Sequence, residues 1–105
     1  MGPAEQFGIV TAFNPVGRIL SASEDEVRHG RLLKMLVSEG LPHLPADGLS
    51  PDNRHRENGF AVWTECRAVE LLARCFEQSA FFWFDSAAFW IEGALVSAPP
   101  IKLPK

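Results

Sequence analysis

Three side chains have the types and spacing for acid–base chemistry: Asp25, His29 and Glu57. Asp25 and His29 lie four residues apart, so on a helix they share one face, a turn apart. A carboxylate beside an imidazole is a common way to orient a general base, and the pair also has the chemistry of metal ligands. Two ligands do not make a metal site, and none is expected. Glu57 ends the one cationic cluster, RHRE at 54–57, where Arg54 and Arg56 could grip an anion while Glu57 enters a cleft. Arg18 is a further candidate for the same anion. Two neutral polar residues complete the set of candidate binding groups. Asn14 closes an apolar run at Asn-Pro, and Gln78 stands just before a wholly apolar stretch. Each also has an ordinary explanation: turn formation at Asn14, a solvated charged loop at 54–57, and hydrogen-bonded polar groups at the edge of a core for Asp25, His29 and Gln78.

The familiar catalytic patterns are absent. There is no G-x-S-x-G, no phosphate-binding G-x-x-x-x-G-K-[ST], no C-x-x-C and no H-E-x-x-H, and nothing calls for a cofactor. Cys66 and Cys75 are the only cysteines. On one helix, nine residues put them on opposite faces and about 13 Å apart along the axis, too far for a disulfide. Cys66 would sit in a first helical turn, where the dipole can lower a thiol pKa, but no base stands beside it in the sequence. Two unpaired thiols point to a reducing compartment. MGPAEQ has neither the basic nor the apolar part of a signal peptide, and Asp85 and Glu92 interrupt the longest apolar stretch. The expectation is a cytoplasmic protein that meets no membrane. A net charge of −3 argues against nonspecific nucleic-acid binding, which needs a basic surface.

The elements that must position these residues follow from periodicity. FGIVTAF at 7–13 is apolar throughout and β-branched in its middle, which predicts a central strand buried on both faces and halted at Pro15. Ser23 with Glu26 predicts a capping box, and Gly40 a stop, for a helix over 24–38. Its stripe Leu32, Leu33 and Leu36, extended backwards, places Asp25 and His29 on the inward side. A short strand near 43–46 precedes a turn-rich loop, then FAVW at 60–63 forms a strand. Thr64 caps a second helix whose inward stripe is Val69, Leu72, Ala73 and Phe76. The remainder reads as a hairpin of 80–84 and 88–96 turning at Asp85-Ser86, with a proline-rich tail that frays. With 105 residues, 47% hydrophobic and 22% charged, the chain suits one α+β domain, ordered over about 7–97 with a flexible tail at 98–105. The order β-α-β-β-α-β-β predicts a single mixed or antiparallel sheet of four to five strands with two helices on one face, a ferredoxin-like variant.

In that order, T-A-F-N-P at 11–15, the capped acidic helix, D-G-x-x-P-D at 47–52, Glu57 before a strand, and F-E-Q-S-A at 76–80 resemble a family of small bacterial proteins known only as a domain of unknown function. The resemblance spans roughly residues 7–90. It implies that Asn14, Glu57 and Gln78 travel together and share a rim. Where the family pattern has an asparagine early in the first helix and a tryptophan ahead of the glutamate, this chain has Asp25 and His55.

Two functions compete, with a small-ligand sensor holding an anion on Arg18, Arg54 or Arg56 as a third. One is a binding or regulatory module, an adaptor or small inhibitor, that meets a protein partner or a second copy of itself through the aromatic hairpin, with Trp83, Phe89 and Trp90 at the interface. Both faces of that hairpin are apolar, and two helices cover one. Leu41, Leu44 and Leu49 give the loop over 41–58 a rival claim to cover the other. The alternative is a small enzyme, a hydrolase or nucleic-acid-processing activity, built on Asp25, His29 and Glu57. It requires those three to converge.

Overall fold

A computed structural model describes residues 6–13, 20–49, 56–85, 87–95 and 99–102, with only the main chain of Leu49 and Arg56. Among the described residues, eight strands and two helices follow in the order β1 (Phe7–Thr11), α1 (Ala22–Ser38), β2 (His43–Pro45), β3 (Gly48–Leu49), β4 (Arg56–Glu57), β5 (Gly59–Val62), α2 (Cys66–Cys75), β6 (Ala80–Phe84), β7 (Phe89–Gly93) and β8 (Ile101–Lys102). Six of the strands form one antiparallel sheet ordered β2-β5-β1-β6-β7-β8, and β3 and β4 pair as a separate ribbon. The helices α1 and α2 lie on one face of the sheet. The fold is α+β.

The order of the first four sheet strands explains the architecture. The β1–α1–β2 crossover brackets β5, and the β5–α2–β6 crossover brackets β1, so two split β-α-β units interlock as in a ferredoxin-like sheet. β7 and β8 extend that sheet on the β6 side. Six strands stand where four or five were expected, because Ile101 and Lys102, in the proline-rich tail, pair with Ile91 and Trp90.

Strand alternation sorts the side chains between the two faces. Gly8, Val10, Phe60, Val62, Phe81 and Trp83 point toward the helices and are buried. They meet Leu32 and Leu36 of α1 and Val69, Leu72 and Ala73 of α2 in one core. β1 is central, but its burial alternates residue by residue rather than being complete on both sides. Gly8 is required by the packing: a Cβ there would stand 2.5 Å from Val69 Cγ1, so α2 crosses β1 only because no side chain intervenes.

The helix ends differ instructively from expectation. The capping box of α1 is Ser21 with Glu24, two residues before the expected pair: the Ser21 hydroxyl accepts from the Glu24 N–H, and the Glu24 carboxylate accepts from the Ser21 N–H. Ser-x-x-Glu occurs twice in succession, and the first occurrence prevails. α1 ends as foreseen at Gly40, with φ 69°, where the N–H groups of Gly40 and Leu41 donate to Val37 and Leu36. α2 is capped by Glu65, not Thr64, with no side-chain hydrogen bond. Its far end repeats the motif of α1 without a glycine, since Glu77 takes φ 60° while Glu77 and Gln78 donate to Arg74 and Ala73.

Candidate functional site

Two regions can be asked to carry function: the polar end of the helix layer and the bare face of the sheet. At the polar end, β1 runs two residues beyond its pairing with β5, leaving the Ala12 and Phe13 carbonyls without a ladder partner. Arg28 of α1 supplies one donor, its Nε lying 2.6 Å from the Ala12 oxygen. The same guanidinium donates to the Phe76 carbonyl at the end of α2, pairs with the Glu77 carboxylate at 3.3 Å, and lies 5.9 Å from the centre of the Phe76 ring. Gln78 supplies the other donor, its Nε2 reaching Phe13 O at 3.0 Å and Phe76 O at 3.2 Å. Arg28 and Gln78 therefore clasp the exit of β1 to the end of α2, satisfying carbonyls that both elements leave open. A cation also suits the negative end of the α2 dipole. Arg28 was overlooked in the sequence because it lies outside the apolar stripe. Its signal was being the arginine next to that stripe in the turn that passes the strand's exit.

Asp25 and His29 do fall on the inward side of α1, Asp25 buried and His29 half-buried. The His29 ring lies flat on Phe60 with centroids 4.7 Å apart and meets Phe13 edge-on at 6.0 Å. Its Nδ1 is buried and bonded to nothing, so Asp25 does not orient the imidazole through that nitrogen. His29 is packed as an aromatic. Glu57, half-buried, sits in the β3–β4 ribbon opposite Gly48, and the Arg56 main chain pairs with Leu49. Asn14, Arg18, Arg54 and His55 lie outside the described residues. Among the described residues no group of three His, Cys, Asp or Glu side chains is placed to hold a metal ion.

Cys66 and Cys75 are both free. The Cys66 thiol does not benefit from its place in the first turn of α2. Burial, with Glu92 and Glu70 nearby, pushes it up to about 11, so at neutral pH it stays protonated and poorly nucleophilic. Burial and the charges of Glu70 and Asp85 likewise push the Glu92 carboxyl above its ordinary range.

The bare face is of another character. One row crosses all six strands in register: Leu44, Ala61, Ile9, Phe82, Ile91 and Ile101. A second row is aromatic. Phe84 pairs with both Phe7 and Phe89, and Trp63, one step beyond the Gly8–Val62 pair, places its ring 5.1 Å from that of Phe7. The only polar side chain that the described strands present here is Thr11, whose hydroxyl donates to Asn58 O and accepts from the Phe13 N–H. Phe82 is 39% exposed, Phe89 40%, Leu44 60% and Ile101 58%. Of the residues expected at an interface, Phe89 stands on this face. Trp83 is buried under the helices, and Trp90 also points to the helix side, its indole N–H donating to Asp85. Leu41 packs into the helix-side core and Leu44 stands on the exposed face itself, on edge strand β2; the side chain of Leu49 and residues 50–55 lie outside the described residues.

Fold and site together define a small α+β module in which, among the described residues, no helix covers one face of the sheet. Residues 10–81 match the family described as protein of unknown function (DUF3293), and the chain belongs to that family. No curated protein and no solved structure matches the chain.

Proposed function

We propose that this protein is a binding or regulatory module that works by protein–protein contact, and that the uncovered sheet face is its working surface. The observation that carries this reading is the unbroken apolar row from Leu44 to Ile101, backed by the aromatic row from Trp63 to Phe89. Monomeric soluble proteins seldom expose contiguous apolar patches beyond a few hundred Å², and larger ones mark contact sites. Burying such a face is worth roughly 25 cal/mol per Å² of apolar surface. The strands also hold it rigid, so little conformational entropy is lost when a partner docks.

The enzyme reading has less behind it. Its histidine is engaged in ring stacking, its buried nitrogen lacks an orienting partner, and the thiol with a helix-terminal position is held protonated. Asn14, Glu57, Gln78, Arg54 and Arg56 remain a proposed rim for a small polar or anionic ligand, with the Gln78 amide nitrogen already bonded to main-chain carbonyls.

An environment-sensitive apolar dye tests the reading on folded, dilute protein. Fluorescence should rise on mixing with the wild type and fall sharply in Phe82→Arg, while Val37→Arg on the solvent side of α1 leaves it unchanged. A wild type that does not brighten the dye contradicts the proposal.

A further inference from the structure

We infer that the partner seated on the uncovered sheet face is a second copy of this chain, packed sheet against sheet. The inference rests on the contact reading above and names its partner. The described strands present no ionisable side chain on this face, and its one hydroxyl is engaged within the chain. A surface without charge cannot select a partner by charge complementarity, and the surface it complements best is one equally free of unpaired polar groups. This face comes close to that description itself, its one unpartnered polar atom among the described residues being the Trp63 indole nitrogen, which is buried rather than presented to a partner.

Its dimensions fit. Strands about 4.8 Å apart give the six-strand row a width of roughly 24 Å and the four-strand aromatic row roughly 14 Å, and the two rows with their own girth give a depth of about 14 Å. Counting side-chain relief, two copies together bury on the order of 1,000 Å², near the lower bound of a specific interface. The dimer is therefore a weak one that dissociates on dilution.

Symmetry gives the arrangement. A two-fold axis running along the strands, between β1 and β6, exchanges β1 with β6, β5 with β7 and β2 with β8 of the partner. That sets Ile9 against Phe82, small Ala61 against Ile91, and Leu44 against Ile101 across the interface. In the aromatic row it sets Phe7 against Phe84 and Trp63 against Phe89. The one small side chain of these rows, Ala61, then faces a large one, as close packing requires. The alternative axis, along the row, would stack Ala61 on Ala61 and leave a gap.

Sedimentation velocity of the full chain from low micromolar to several hundred micromolar tests this, with Phe82→Arg, Ile101→Glu and Val37→Arg alongside. The wild type and Val37→Arg should move from monomer to dimer as concentration rises. Phe82→Arg and Ile101→Glu should each weaken association at least ~10-fold. Ile101 is 58% exposed at a sheet edge, so its replacement keeps the test valid should Phe82→Arg impair folding, which circular dichroism reports. A wild type that remains monomeric throughout overturns the inference. If that monomer still brightens the apolar dye, the second-copy inference falls and the contact reading stands. If it does not, both fall. Association abolished by Val37→Arg but not by the sheet-face variants also overturns the inference, because the interface would then lie on α1.

Discussion

Phe81 and Phe82 are neighbours in the chain and opposites in the structure: Phe81 is 4% exposed beneath the helices, and Phe82 is 39% exposed on the uncovered side. The contrast extends to the whole of the two faces. On the helix side, apolar side chains fill one core, and the polar residues at its end, Arg28 and Gln78, are committed to main-chain carbonyls. On the other side, side chains just as apolar meet one another in rows and have no layer above them among the described residues. Arg28 and Gln78 hold strand and helix ends together and His29 packs as an aromatic, while the plainest residues form the exposed face proposed above for contact.

The sharpest way to break this comparison is to remove the clasp. Arg28→Ala leaves the Ala12 and Phe76 carbonyls without their charged donor and should lower stability by about 3 kcal/mol, read as a fall in Tm. Phe82→Ser, on the other face, should lose far less at the dilution where the chain is monomeric. Equal losses would mean that both faces are core.

Gly8→Ala probes how closely α2 lies on β1. The new Cβ would meet Val69 at 2.5 Å, so α2 must shift, with a loss of roughly 1–3 kcal/mol by chemical denaturation. Gly30 is its counterpart on the outside of α1, where a Cβ meets nothing within 4 Å. Gly30→Ala should therefore stabilise the protein by about 0.5–1 kcal/mol.

The smallest effect is electrostatic. Glu92 titrates above its ordinary 4.5 because the fold disfavours its charge. That penalty is present above the folded pKa and is relieved as pH falls toward 4.5, since the folded state then takes up the proton first. Glu92→Gln should thus be the more stable form at neutral pH, with the difference vanishing in acid. The same change should bring the Cys66 thiol down from about 11 toward its ordinary 9.0, measured by pH-dependent alkylation in a Cys75→Ser background.

Much of the fold was legible in the sequence because it rests on local signals. The α2 stripe Val69, Leu72, Ala73 and Phe76 is buried as its spacing requires, and the β6–β7 hairpin forms around Asp85, whose carboxylate accepts from the Ala87 and Ala88 N–H groups. What the sequence could not show depends on contacts distant along the chain. Pairing of Ile101 with Ile91 adds a strand to the sheet, and two apolar residues of a proline-rich tail give no local sign of it. The choice of Phe82 rather than Trp83 for the outer face is set by register against β1, which periodicity leaves open. The Arg28 clasp joins segments 16 and 48 residues apart, and an arginine beside an apolar stripe has no signature of its own.

The most direct test of the uncovered face as the working surface is hydroxyl-radical footprinting of the adjacent pair Phe81 and Phe82 across a dilution series. The account predicts that Phe81 is protected at every concentration, while Phe82 is oxidised in dilute solution and becomes protected as the protein is concentrated. Phe82 protected as fully as Phe81 at the lowest concentration would contradict it, because the chain would then cover that face itself.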